Sequence, residues 1–145
     1  MYRHILIPTD GSPLSEAAIK QGIEFAKSLN AKVTGLTVSA PFHTFALDPM
    51  MVSDTPETYK ADCEARAEKF LGVVKKAATA AGIPCAVEHV ISDHPYEAII
   101  DTAKNKGCDL VFMASHGRKG MSAVILGSET VKVLTHSKTP VLVCR

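Results

Sequence analysis

Residues 114–130 read ASHGRKGMSAVILGSET, and their types and spacing suit one chemistry above others, the holding of an anion. Gly117, Gly120 and Gly127 can take backbone angles closed to other residues, which would let a loop aim its N–H groups inward. Ser128 follows with a hydroxyl at the start of a candidate helix, whose N-terminus carries partial positive charge. Helix-terminus attraction contributes about 0.3–1 kcal/mol, whereas each charge-assisted hydrogen bond contributes about 1.5–3 kcal/mol. Amides and Ser128 would therefore outweigh the dipole. Arg118 and Lys119 either screen phosphate charge or are simply solvated, and His116 either donates to a phosphate or orders the turn.

A second chemical cluster, PTDGS at residues 8–12, presents Asp10. Its carboxylate could accept ribose hydroxyls or hold a hydrated divalent cation near phosphates. Equally, it could form an Asx turn or cap the next helix. Other chemistries lack their marks. There is no GxGxxG, no Walker A loop, and no GxSxG elbow around Ser12, Ser115 or Ser128. Cys63, Cys85, Cys108 and Cys144 form no CxxC and have no histidine at metal-ligand spacing, so they read as reduced, partly buried small hydrophobes. A net charge of +1 supplies no long-range field for polyanions, so nucleic-acid binding is not expected. No apolar run approaches the length of a membrane span, and the opening MYRHILIPTD has no secretory apolar region, which points to the cytoplasm.

The elements that must position these clusters follow from periodicity. HILIP (4–8) is too short and apolar for anything but a buried strand, and Ser12-Pro13 suits N-cap and first position of a helix ending near Asn30. AKVTGLTVS favours a second strand ending near Ser39. Residues 40–57, rich in proline, read as a long loop, with Phe42, Phe45, Met50 and Met51 either covering the core or offering a recognition surface. Apolar positions from Tyr59 to Ala78 mark a helix from about Pro56 to Ala81, stopped by Gly82 and Pro84. CAVEHVI is a third strand, HPYEAIIDTAKNKG a helix ending at Gly107, CDLVFMAS a fourth strand, SETVKVLTHS a short last helix, and TPVLVCR a fifth strand. With 145 residues and unbroken strand-helix alternation, the chain is expected to form one domain over residues 1–145. Its fold class is α/β, a doubly wound, Rossmann-like parallel sheet of five strands in the order 3-2-1-4-5. That order makes strands one and four neighbours, so the Asp10 turn and the glycine loop would border one crevice beyond the strand ends.

ILIPTDGS near the start, GCDLVFMASHGRKG, and AVILGSETVKVLTHSKTPVLVCR at the end resemble the universal stress protein family along essentially the whole chain. Its nucleotide-binding members are marked by glycine, two residues, glycine, nine residues, then glycine with serine or threonine. Gly117, Gly127 and Ser128 match, while Ala114 stands in the place of the first glycine. Its methyl fits a negative φ and would strain a turn needing a positive one. The resemblance implies that ATP, or a related adenine nucleotide, binds with Mg²⁺ or Mn²⁺. Adenine and ribose would lie near Pro8, Thr9, Asp10 and Val38, with Met113 and Ala114 lining the base pocket. His116, Gly117, Gly127, Ser128 and the amide of Glu129 would meet the phosphates, and Asp10 would hold the metal through water. It also implies a homodimer joined through Val141, Leu142 and Val143. An apolar edge strand of this kind is an aggregation hazard unless another chain pairs with it.

Three functions are thereby set against one another. The first is a nucleotide-binding stress-response sensor or regulatory module, not a dedicated enzyme, with at most weak ATPase activity. The second is a dimeric interaction protein of the same fold that has lost the nucleotide, and the third a slow metal-dependent nucleotide hydrolase. No arginine finger or water-orienting glutamine can be singled out for the third.

Overall fold

The computed structural model describes residues 1–45, 55–117 and 125–145. Its elements are β1 (His4–Pro8), α1 (Pro13–Ser28), β2 (Lys32–Ser39), α2 (Phe42–Phe45), α3 (Pro56–Ala81), β3 (Cys85–Ile91), α4 (Pro95–Lys106), β4 (Leu110–Ala114), α5 (Ser128–His136) and β5 (Val141–Cys144). All strand pairs are parallel, as the alternation of elements predicts, and the sheet order is β3-β2-β1-β4-β5, the order expected. The single-turn α2 interrupts what the sequence reads as loop, because four residues are too few to show a helical period.

Local signals set the element boundaries. Ser12 caps α1, its side chain accepting from the Ser15 amide at 3.2 Å, with Pro13 behind it. Gly82 and Gly107 end α3 and α4 with φ values of 72° and 68°, left-handed angles open to glycine at no steric cost. Asn30, with φ of 52°, turns the chain after α1 into β2.

Alternate residues of the central strands feed two cores. Ile5 and Ile7 of β1 and Leu110, Phe112 and Ala114 of β4 pack with Ile19 and Ile23 of α1 and Val74 of α3. Leu6, Val111 and Met113 face the other way, against Ile99 and Ala103 of α4 and Val133 of α5. This double cover explains why β1 and β4 read as continuous apolar runs. The cysteines are free thiols, three of them buried, and burial pushes the Cys108 thiol up to about 11, in keeping with an inert filler. Among the described residues no helix is long and apolar enough to cross a membrane.

At the opposite end of the sheet from the glycine loop, buried His4 places Nε2 2.8 Å from Thr34 Oγ1. Burial, then the nearby Lys32 cation, lowers its pKa, outweighing the Asp109 carboxylate and the Lys106 and Gly107 carbonyls that act the other way. The folded state thus binds fewer protons than the unfolded state, so stability falls as pH drops below the ordinary histidine value of about 6.5. Urea unfolding of His4→Gln, which keeps hydrogen-bonding capacity without the titration, should show a flatter stability profile between about pH 6.5 and 5 than the parent. An unchanged slope would remove His4 as its source.

Candidate functional site

β1 ends in a turn whose polar atoms are largely occupied. The Thr9 amide donates to the Leu36 carbonyl at 2.8 Å, the Thr9 carbonyl accepts from Thr37 Oγ1 at 2.8 Å, and Thr9 Oγ1 accepts from the Gly11 amide at 3.2 Å. Asp10 Oδ1 accepts from the Ser12 amide at 3.0 Å, the Asx turn weighed above. Gly11 has φ of 76°, and the ring of Phe70 on α3 fills the space that a Cβ there would need. Residues 9–12 are therefore a rigid pedestal that presents the Asp10 carboxylate beyond the end of the sheet.

β4 delivers the second half of the site. The Ser115 amide donates to the Cys144 carbonyl at 2.8 Å, extending the ladder with β5, and the Ser115 carbonyl accepts from the Gly127 amide at 2.8 Å. That second bond closes the glycine loop at its base. Gly117 lies against Asp10, where a Cβ would coincide with Oδ2. At Gly127 a Cβ would come within 2.9 Å of His116 Cα and 2.8 Å of His116 Cβ. Neither glycine has a left-handed φ, and Gly127 sits at φ −61° and ψ 150°. The expectation that unusual angles demand these two glycines is corrected: close approach of chain to chain demands them. Arg118, Lys119 and Gly120 lie outside the described residues.

α5 starts at this base. Thr130 Oγ1 donates to the Ala114 carbonyl at 3.2 Å, tying its first turn to β4. The N–H groups of Ser128, Glu129 and Thr130 lead the helix and have no intrahelical acceptor. The Ser128 side chain is exposed and makes no cap, and the first turn of α5 lies at the same end of the sheet as Asp10. His116 is half-buried, with Nδ1 3.1 Å from Ser115 Oγ. One carboxylate, one hydroxyl, one imidazole and a set of leading amides can together bind a ligand with hydroxyls at one end and negative charge at the other.

The universal stress protein family profile matches residues 1–145, the entire chain. This chain belongs to the universal stress protein family. Universal stress protein MJ0531 of Methanocaldococcus jannaschii is 30% identical over 147 residues, spanning 100% of this chain and 83% of that protein. The solved structure of MJ0577, from the same organism, superposes with a TM-score of 0.82 at 29% identity, covering 99% of this chain and 95% of that one. A universal stress protein crystallised with cAMP shares the fold, with a TM-score of 0.69 at 24% identity over 99% of this chain and 97% of its own.

Within this universal stress protein, Ala114 at the first motif position lies in β4 with no positive φ, and its methyl joins the core beside α1. Alanine there brings no backbone strain. Met113 points to the opposite core, so the two residues expected to line a base pocket are buried on opposite faces of the sheet. Pro8 and Val38, at the ends of neighbouring strands, are half-buried. The Phe42 ring packs at a tilt of 57° against that of Tyr59, 5.6 Å between centres, and lines a cavity of about 280 Å³ with Pro41, His89 and Ile91. Met50 and Met51 and the side chain of Phe45 lie outside the described residues. Sequence reasoning missed Phe70, Ser115 and Thr130 as supports of the site. Only Phe70 left a signal, a large ring among the apolar positions of α3, where it is half-buried.

Proposed function

We propose that this universal stress protein binds an adenine nucleotide, ATP with Mg²⁺ or Mn²⁺, in the crevice between the Asp10 turn and the start of α5. The ligand acts as the signal of a stress-response regulatory module. The observation that carries the reading is the seating of Gly117 on Asp10, which brings the loops after β1 and β4 to one place beside the leading amides of α5. A polyphosphate suits such amides, and the ribose hydroxyls suit a carboxylate held in place by Ser12. The cAMP complex of a protein with this fold supports an adenine ligand in kind.

Asp10 is the residue that would hold the cation. Among the described residues no three metal-ligating side chains cluster, so one carboxylate would act through water, with phosphate oxygens supplying the remaining ligands. The ion would neutralise phosphate charge. The reading is of a binding module, not a dedicated enzyme. Two copies pair through β5, an edge strand on which Val141, Leu142 and Val143 are half-buried, beside α5 with Val131 and Leu134 exposed. Native mass spectrometry tests both parts together: the expected species is a two-chain assembly carrying adenine-nucleotide mass. A monomer would refute the pairing. Absence of nucleotide mass, joined to an unchanged melting temperature in millimolar MgATP and in cAMP, would refute the ligand and favour an interaction protein of the same fold.

A further inference from the structure

Glu129 takes part in two structures at once. Its amide belongs to the leading turn of α5, while its carboxylate crosses to another helix, where Oε2 accepts from the Tyr96 amide at 2.9 Å. Tyr96 is the second residue of α4, and the residue that should cap α4, His94, makes no side-chain cap. Glu129 therefore caps α4 from 33 residues away. Two helix N-termini, each with partial positive charge, stand side by side with one carboxylate between them. Lys132 closes the group, with Nζ 3.4 Å from Glu129 Oε1 and 5.5 Å from the centre of the Tyr96 ring.

We infer that Glu129 is a positioning residue that couples the phosphate-holding turn of α5 to the first turn of α4. The inference rests on the nucleotide reading above. A phosphate on the leading amides of α5 places a second anion beside the Glu129 carboxylate, and the strength of its bond to Tyr96 then depends on the ligand. The Tyr96 ring packs 5.4 Å from that of His136 and forms one wall of a cavity of about 380 Å³ with Glu97, Ile100, Asp101 and His136. Ligand occupancy is thus felt at the surface between α4 and α5.

The experiment is a titration of ¹⁵N-labelled protein with MgATP, following backbone amide resonances. The Ser128, Glu129 and Tyr96 amides should move with one common dissociation constant. Glu129→Gln keeps an acceptor oxygen for Tyr96 and should keep both the Tyr96 response and at least the parent affinity. Glu129→Ala should silence Tyr96, and its ATP affinity should differ from that of Glu129→Gln about threefold to tenfold, since both variants remove the charge and only alanine removes the bond to Tyr96. Movement at Ser128 with a still Tyr96 in the parent protein would overturn the coupling alone. Equal affinities in Glu129→Ala and Glu129→Gln would do the same, whereas no movement at Ser128 would overturn the nucleotide reading and the coupling together. The titration of the parent protein decides the question even if the alanine variant does not fold.

Discussion

Replacing Gly117 by valine should abolish the rise in melting temperature expected of the parent with MgATP, while leaving the ligand-free protein within about 3 °C of the parent. The difference between the two effects comes from where the new atoms go. Gly117 is exposed and contributes little buried surface, but its Cβ position coincides with Asp10 Oδ2. Valine must push the carboxylate off the Ser12 amide or peel residues 116 and 117 away from the Asp10 turn. Either movement opens the crevice by more than a hydrogen bond tolerates, and affinity should fall more than a hundredfold, about 2.7 kcal/mol. For the parent, ligand at 100 times its dissociation constant adds about 2.7 kcal/mol, or roughly 8–11 °C in a chain of this length. The comparison is a differential-scanning measurement on parent, Gly117→Ala and Gly117→Val, each with and without MgATP. Alanine should fall between the other two, and a valine variant keeping more than half the parental shift would place the ligand elsewhere.

Gly11→Ala should cost about 2–3 kcal/mol of folding stability, a large loss for one methyl group. Two penalties combine. A residue with a Cβ held at φ of 76° loses about 1–2 kcal/mol, and displacing the Phe70 ring adds about 1 kcal/mol of overpacking. A double-mutant cycle separates them. Urea unfolding of Gly11→Ala, Phe70→Leu and the pair should give an interaction energy near 1 kcal/mol, because with the ring gone only the backbone penalty remains. Additivity within about 0.3 kcal/mol would mean that the ring yields freely and that α3 does not press on the turn. The site depends on this pedestal, since Gly11 lies between Asp10 and the Ser12 cap.

Several features were legible in the residues because their causes are local or periodic. The apolar runs HILIP and LVFMA become β1 and β4 because both faces of those strands are covered. Ser12-Pro13, Gly82 and Gly107 mark helix ends through conformational preferences of one or two residues, and each does so in the fold. Alternation of strands and helices indicated a parallel, doubly wound sheet, since right-handed crossovers cover both faces, and the expected order 3-2-1-4-5 is the one observed. The family was legible as well, from a motif whose spacing reflects that same geometry.

What the residues alone did not determine are the contacts between elements. Gly117 and Gly127 look like hinges in a sequence, yet the fold uses them as places where chain lies on chain, at Asp10 and at His116. Met113 and Ala114 alternate faces as neighbours in any strand do, but that both are buried, one in each core, depends on the helices that cover the two faces. Glu129 is expected to act through its amide, and the fold gives its carboxylate to Tyr96 on another helix. The physical reason is one of range. Backbone preference and periodicity act over a few residues, whereas these contacts depend on how helices dock on the sheet, to within an ångström, across tens of residues of chain.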